Sequence, residues 1–267
     1  MIARSWLCAV VLLASAGAWG ATPDTVFLDE LTSPEVRDQL QNGKTTVIVP
    51  VGGTEQNGAH MVLGKHNARV RMLSEKIARS LGNALVAPVV AYVPEGNVNP
   101  PGAHMRFAGT ITVPDAAFRS VVEYAARSFR QHGFRDIVYL ADHGDYRKSL
   151  AAVAERLNRE WAGSPARVHS IDAYYVASST GFAQILKRRG YSDREIGTHG
   201  GVADTSLALA VDPRLVRSDR LGDPASAAPS SGVNGDPRRA SAELGQLGVD
   251  AIVGATVDAI RHATARH

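Results

Sequence analysis

The chain has 267 residues, of which 45% are hydrophobic and 21% charged, and its formal net charge is +3. That length and apolar content allow a sizeable core and exclude disorder as the dominant state. Lys and Arg form no cluster interleaved with aromatic residues, so nucleic-acid binding has no support.

The order of segments at the start predicts a secretory signal over residues 1–21. Arg4 makes a short positive start, residues 6–14 are an apolar run, and Ala16, Gly17, Ala18, Gly20 and Ala21 supply the small residues of a cleavage site. The run is too short for a membrane span, so export to the periplasm or the medium is expected, with no membrane contact after cleavage. Cleavage removes Cys8, the single cysteine. The mature chain then has neither a disulfide nor a thiolate ligand, and any metal site must use His, Asp, Glu or Asn. Residues 22–267 read as one domain.

Strand-like and helix-like segments alternate after that point. Thr45 to Gly52 is a β-branched run of strand length. Asn67 is placed to cap a helix with Val70, Leu73, Ile77 and Leu81 on one face and Gly82 at its stop. Ala84 to Val93 reads as a second strand. Pro114 opens a helix carrying Phe118, Val122 and Phe129 on its apolar face. Asp136 to Leu140 is a third strand, and Leu150, Val153, Leu157 and Trp161 mark the next helix. Arg167 to Val176 reads as a fourth strand, and residues 217–240 as a surface loop before a C-terminal helix. Strands apolar on both faces, separated by amphipathic helices, predict a three-layer α/β/α sandwich with a mostly parallel sheet.

In such a sheet, ligands bind beyond the carboxyl ends of the strands. The first strand runs out into Glu55, Asn57 and His60, with His66 just beyond. The third runs into Asp142, His143 and Asp145, and a later loop holds His199 and Asp204. Imidazole and carboxylate together suit a divalent ion whose bound water becomes a nucleophile near neutral pH. Structural roles stay open for single members. Asp145 suits a helix cap, Asp142 a bridge across loop backbone, and His60 or His104 a hydrogen-bonded structural histidine.

The segment Val49-Pro50-Val51-Gly52-Gly53-Thr54-Glu55-Gln56-Asn57-Gly58-Ala59-His60 resembles the opening motif of the creatininase (creatinine amidohydrolase) family. Further resemblances keep the family's order. They are His104 with Phe107 to Ile111, Asp142-His143-Gly144, His199-Gly200-Gly201 through Asp204-Thr205-Ser206, and Gly232-Val233-Asn234-Gly235-Asp236-Pro237. The resemblance covers about residues 45–250. It implies an α/β sandwich that forms a homo-oligomer, often a hexamer, and a two-metal centre that hydrolyses C–N amide bonds. By position, Glu55, His66 and His143 fall at one metal, and Asn57, His66 and Asp145 at the second. His199 falls at a proton-transfer histidine, and Asp204 at an acidic residue near it.

The departures matter. Asn57 stands where the family has a second-site histidine, His66 where it has a bridging aspartate, and Asp145 where it has a longer glutamate. Neutral imidazole offers one nitrogen where a carboxylate bridges with two oxygens. One ion per chain (Zn, Mn or Fe) is therefore expected, held by Glu55, His66 and His143, with Asp145 as the remaining second-site acid. The expected activity is hydrolysis of a small cyclic or linear amide by metal-activated water, with His199 and Asp204 handling protons. The alternative, suggested by Asn57 and His66, is an exported protein that binds a small ligand without turning it over.

Overall fold

The computed structural model describes residues 23–223 and 231–265. The signal expected over 1–21 lies outside them. Four parallel strands, β1 (Thr46–Val51), β2 (Ala84–Val86), β3 (Asp136–Ala141) and β4 (Arg167–Ser170), lie in the order β2-β1-β3-β4. Ile48 pairs with Val86 on one side and Val138 on the other, so β1 is central and buried at every position.

Side chains of the strands alternate between two cores, as the period of two requires. Val47, Val49, Ile137 and Tyr139 face α3 (Asp115–Gln131) and α4 (Arg147–Glu160), which contribute Phe118, Val122, Leu150 and Leu157. Ile48, Val138 and Leu140 face α2 (Lys65–Leu81), α8 (Val202–Val211) and α9 (Ala242–Thr264), which contribute Leu73, Ile77, Leu207 and Ile252. α1 (Ser33–Gln41) packs on the first core through Val36 and Leu40, α7 (Asp193–Ile196) puts Ile196 in the second, and the whole is the expected three-layer α/β/α sandwich. Among the described residues, no helix is long and apolar enough to cross a membrane.

Local boundaries differ from the sequence reading. The second strand ends at Val86 rather than Val93, because Pro88 has no N–H for the ladder. The chain rejoins β1 beyond it, with Val90 N donating to Pro50 O at 2.9 Å. The fourth strand ends at Ser170, and residues 172–188 are helical instead of extended. α5 (Asp172–Val176) passes through a π-helical turn, Ala177–Gly181, into α6 (Phe182–Arg188). Asp172 favours the helix start electrostatically, and Tyr174 and Ala177 are buried at helical spacing. Asn67 is not a cap but the third residue of α2. Its Oδ1 accepts from Gly53 N at 3.0 Å and so pins the loop after β1. Part of the expected surface loop is docked: Asn234 exchanges main-chain hydrogen bonds with His199.

The chain runs from β1 outward to β2 on one side, then returns past β1 through α3 to β3 on the opposite side. The carboxyl ends of β1 and β3 therefore flank the topological switch point, where open α/β sheets bind ligands.

Candidate active site

The loops at that point bring together side chains far apart in sequence. Glu55 and Gln56 follow β1, and Lys65, His66 and Arg69 sit on the first turns of α2. Asp142 and His143 follow β3, His104 lies on a short turn (Ala103–Arg106), His199 precedes α8, and Asp204 is on its first turn. Lys65, His66, Arg69, Asp142, His143, His199 and Asp204 line a cavity of about 450 Å³, together with Ser178, Ser179 and Thr180 of the π turn.

Glu55 is 0% exposed and lies at the centre. His66 Nε2 is 2.7 Å from its Oε1, and His199 Nδ1 is 3.6 Å from the same oxygen. His104 Nε2 and His143 Nε2 approach Oε2 at 3.2 and 3.8 Å. Neither approach is aligned as a hydrogen bond, so Oε2 is a buried oxygen without a hydrogen-bond partner. Two ligand sets follow among the described residues, Glu55/His66/His143 and Glu55/His104/His199. Within each set the donor atoms lie within 4.8 Å of one another.

A network of charges fixes His66. Its Nδ1 lies 2.6 Å from Asp142 Oδ2, a contact that requires Nδ1–H to donate to the carboxylate. Asp142 also accepts from Arg69 Nε at 2.9 Å and from the Tyr174 hydroxyl at 2.6 Å. Nε2–H donates to Glu55 Oε1, and because Asp142 keeps the other proton on Nδ1, Nε2 can give up its hydrogen to a metal and leave a neutral ring, a common arrangement around ligating histidines. Asp204 accepts from Arg69 at 2.7 Å, from Gly200 N at 3.0 Å, and from Lys65 Nζ. Lys65 is 1% exposed, and its Nζ is also 3.8 Å from Glu55 Oε1.

Burial opposes ionisation of Glu55, but the His66 hydrogen bond and the nearby His66 and Lys65 charges hold its carboxyl below the usual range. Burial likewise opposes ionisation of Asp204, and Lys65 and Arg69 hold it ionised. Burial, then Lys65, pushes His199 down to about 4, and burial with His66 does the same for His143, so both rings are neutral at pH 7. Glu95 is the opposite case. It is 1% exposed with both carboxyl oxygens unpartnered, and burial, then Glu55 and Asp145, raises it to about 9.

The structure thus brings Glu55, His66, His143, His199 and Asp204 into one cluster. Asp145 stands apart: it is exposed, belongs to neither ligand set, and its main-chain N donates to His143 Nδ1 at 3.3 Å. Asn57 is turned to the loop backbone, with Nδ2 donating to Glu55 O at 2.8 Å and to Val62 O at 3.0 Å. Of the two histidines left open as structural, His60 is one, buried against Thr205 Oγ1 at 3.1 Å. His104 is in the site. Asp204 holds Lys65 and Arg69, while the His199 ring is held by the Gln56 main-chain carbonyl at 2.8 Å.

Lys65, Arg69 and Glu95 have no place in the sequence reading. A signal for the first two was present, since His66, Arg69, Val70, Leu73 and Ile77 share one helical face. Charged residues on an apolar stripe mark a buried polar cluster. Glu95 carries no such periodic signal.

The fold and site together define an α/β protein with a buried imidazole–carboxylate centre at the switch point of its sheet. The creatinine amidohydrolase family profile matches residues 29–260, and the chain belongs to the creatininase family. It is 29% identical over 254 residues to the creatinine amidohydrolase of Pseudomonas putida, covering 89% of this chain and 96% of that one. It is also 29% identical over 188 residues to a mycofactocin precursor peptide peptidase of Mycolicibacterium smegmatis, covering 68% and 64%. A third relative is a 3-dehydro-scyllo-inosose hydrolase of Thermotoga maritima, 28% identical, covering 74% and 60%. A solved creatininase superimposes with a TM-score of 0.74 at 27% identity, over 90% of this chain and 98% of that one. A manganese creatininase superimposes at 0.73 with 28% identity, over the same shares, and a Zn–Zn type mutant at 0.73 with 27%. The relatives share hydrolysis but not one substrate.

Proposed function

We propose that this chain is an exported, metal-dependent amidohydrolase that cleaves a C–N bond of a small cyclic or linear amide. The observation that carries the reading is Glu55: a buried carboxylate, one oxygen unpartnered, facing His66 Nε2, whose other nitrogen is tied to Asp142. That donor set fits a divalent ion on Glu55, His66 and His143, with zinc and manganese the leading candidates from the solved relatives. When bound there, such an ion acidifies a water and polarises the scissile carbonyl.

The chain's own groups do the rest. His199 Nδ1 takes the proton released by the attacking water and passes it to the leaving nitrogen. The neutral ring suits that task, because it is a free base at pH 7. Lys65 places a buried cation where negative charge develops on the carbonyl oxygen. Asp204 holds Lys65 and, through Gly200 N, the loop that carries His199. Ser178, Ser179 and Thr180 of the π turn line the same cavity, with the two serine hydroxyls donating to Tyr175 O. Assembly as a homo-oligomer, hexameric by resemblance, belongs to the same proposal.

The test is metal analysis of freshly purified protein followed by a panel of cyclic and linear amides on the metal-loaded chain. One ion per chain and turnover of an amide support the reading. Metal-loaded protein that turns over none of them sinks it in favour of small-ligand binding without catalysis.

A further inference from the structure

Ligand spacing alone does not make a cation seat, because each imidazole must also present a bare nitrogen. The two histidine pairs around Glu55 differ in this respect, and Gln56 is the cause. Its side-chain amide has a fixed orientation, since Oε1 accepts from Gly58 N at 3.0 Å and Nε2 donates to Gly232 O at 2.9 Å. The Gly232 segment packs tightly enough that a Cβ there would lie 2.4 Å from Gln56 Nε2, and its φ of 74° favours glycine as well. Reversing the amide would set oxygen against oxygen at Gly232.

The second N–H of that amide reaches His104 Nδ1 at 2.9 Å. Nδ1 must then be bare, and the ring proton sits on Nε2, facing Glu55 Oε2 at 3.2 Å. The nitrogen of His104 with metal-ligand spacing is thus the one that carries a hydrogen. His199 is set the other way round. Its Nε2–H donates to the Gln56 main-chain carbonyl, so bare Nδ1 faces Glu55 Oε1. On the opposite side, Asp142 keeps a proton on His66 Nδ1, so the Nε2 hydrogen that meets Glu55 Oε1 at 2.7 Å can give way to a cation and leave a neutral ring. His143 Nδ1 also accepts, from Asp145 N, but at 3.3 Å and from an exposed residue whose N–H has water as an alternative partner, so the ring proton can shift to Nδ1 when a cation takes Nε2.

We infer that Gln56 is a positioning residue that locks the tautomer of His104, keeps its Nε2–H toward Glu55 Oε2, and so confines the cation to the His66/His143 side of Glu55. The confinement of the cation rests on the amidohydrolase reading; the lock itself does not.

Two measurements test it. In the zinc-loaded mature chain labelled with ¹⁵N-histidine, long-range ¹H–¹⁵N correlations at neutral pH should show His104 protonated at Nε2 and bare at Nδ1. Its signals are assigned by their loss in His104→Ala. A ring protonated at Nδ1, or at both nitrogens, overturns the lock. In Gln56→Glu, a carboxylate would accept Nδ1–H of His104, bare its Nε2 and complete the second ligand set. Zinc binding should rise from one to two equivalents per chain and return to one when His104→Ala is added. A folded Gln56→Glu chain that still binds one equivalent overturns the lock, as does a wild type that binds two and loses one in His104→Ala. If Gln56→Glu does not fold, the tautomer measurement decides alone. A wild type that binds no zinc sinks the amidohydrolase reading instead, and the His104 tautomer is then read on the zinc-free chain.

Discussion

Asp142→Asn removes the anion behind His66 while conserving shape. In the wild type, Oδ1 accepts from Tyr174 at 2.6 Å, and Oδ2 accepts from His66 Nδ1 at 2.6 Å and Arg69 Nε at 2.9 Å. An asparagine keeps one acceptor for Tyr174 but turns an NH₂ toward His66 and Arg69, so donors face donors. His66 relieves the clash by giving up its Nδ1 proton, and the one that remains stays on Nε2 toward Glu55, so Nε2 can no longer be bared for a cation. Loss of such an outer carboxylate weakens metal binding ~10–100-fold, or about 1.4–2.8 kcal/mol. Arg69 is left with Asp204 as its only carboxylate partner, and breaking a buried ion pair costs about 3–5 kcal/mol of fold stability. Chelator-competition titration gives the zinc affinity, and a circular-dichroism melt confirms that the variant is folded at the assay temperature. A folded Asp142→Asn chain whose zinc affinity stays within about twofold of wild type, against the expected ~10–100-fold, would refute the reasoning.

His199→Ala should keep its fold and its zinc but lose ~10²–10⁴ in turnover of whichever amide the panel identifies; unchanged turnover removes the proton-transfer role. Acid should destabilise the chain in a defined window. His143 and His199 titrate near 4 when folded and about 6.5 when unfolded, so the unfolded state takes up protons first as pH falls. The contribution of these two rings should be complete above that upper value and be lost toward pH 4, outweighing the single opposite trend of Glu95 there, and urea midpoints that stay flat between them contradict this. Glu95→Gln works in the other direction. The folded carboxyl stays protonated to about 9 while the unfolded one ionises near its ordinary value, so wild type loses stability as pH rises between them. The variant should lack that decline and exceed wild type increasingly toward pH 8–9, as read by urea denaturation; parallel curves exclude a buried neutral acid.

Periodicity made the layers legible in advance, because β1, β2 and most of β3 are buried on both faces and the long helices α2, α3 and α4 each carry one apolar stripe. It failed where tertiary contact overrode it. Tyr174 belongs to an apparent strand by composition, yet its hydroxyl reaches Asp142 only from a helix. The site divides along the same line. Glu55, His66, His143 and His199 are readable from residue type and motif order, since each has chemistry of its own. Gln56 and Asp142 act by setting which nitrogen of a neighbour bears a proton, a property of pairwise geometry that no spacing along the chain encodes. Asp145 shows the converse, a residue type suited to metal that the loop turns outward. Glu95 is invisible in sequence because its importance comes from the absence of a partner.

The π turn at Ala177–Gly181 also governs how this cavity can change over time. Tyr174 and Ala177 are buried three residues apart, whereas Ala177 and Phe182 are five apart, with Leu186 four further on. The wider turn absorbs one surplus residue and keeps both halves of the helix in phase with the core. Deleting one residue from Ser178–Thr180 would yield an ordinary helical repeat with a differently spaced hydroxyl wall and the same buried face. A one-residue loss there is therefore a change of lining and not of fold. The same deletion within α6, at Gln184 for instance, would swing Leu186 out of the core by roughly 100°, the advance of one helical residue.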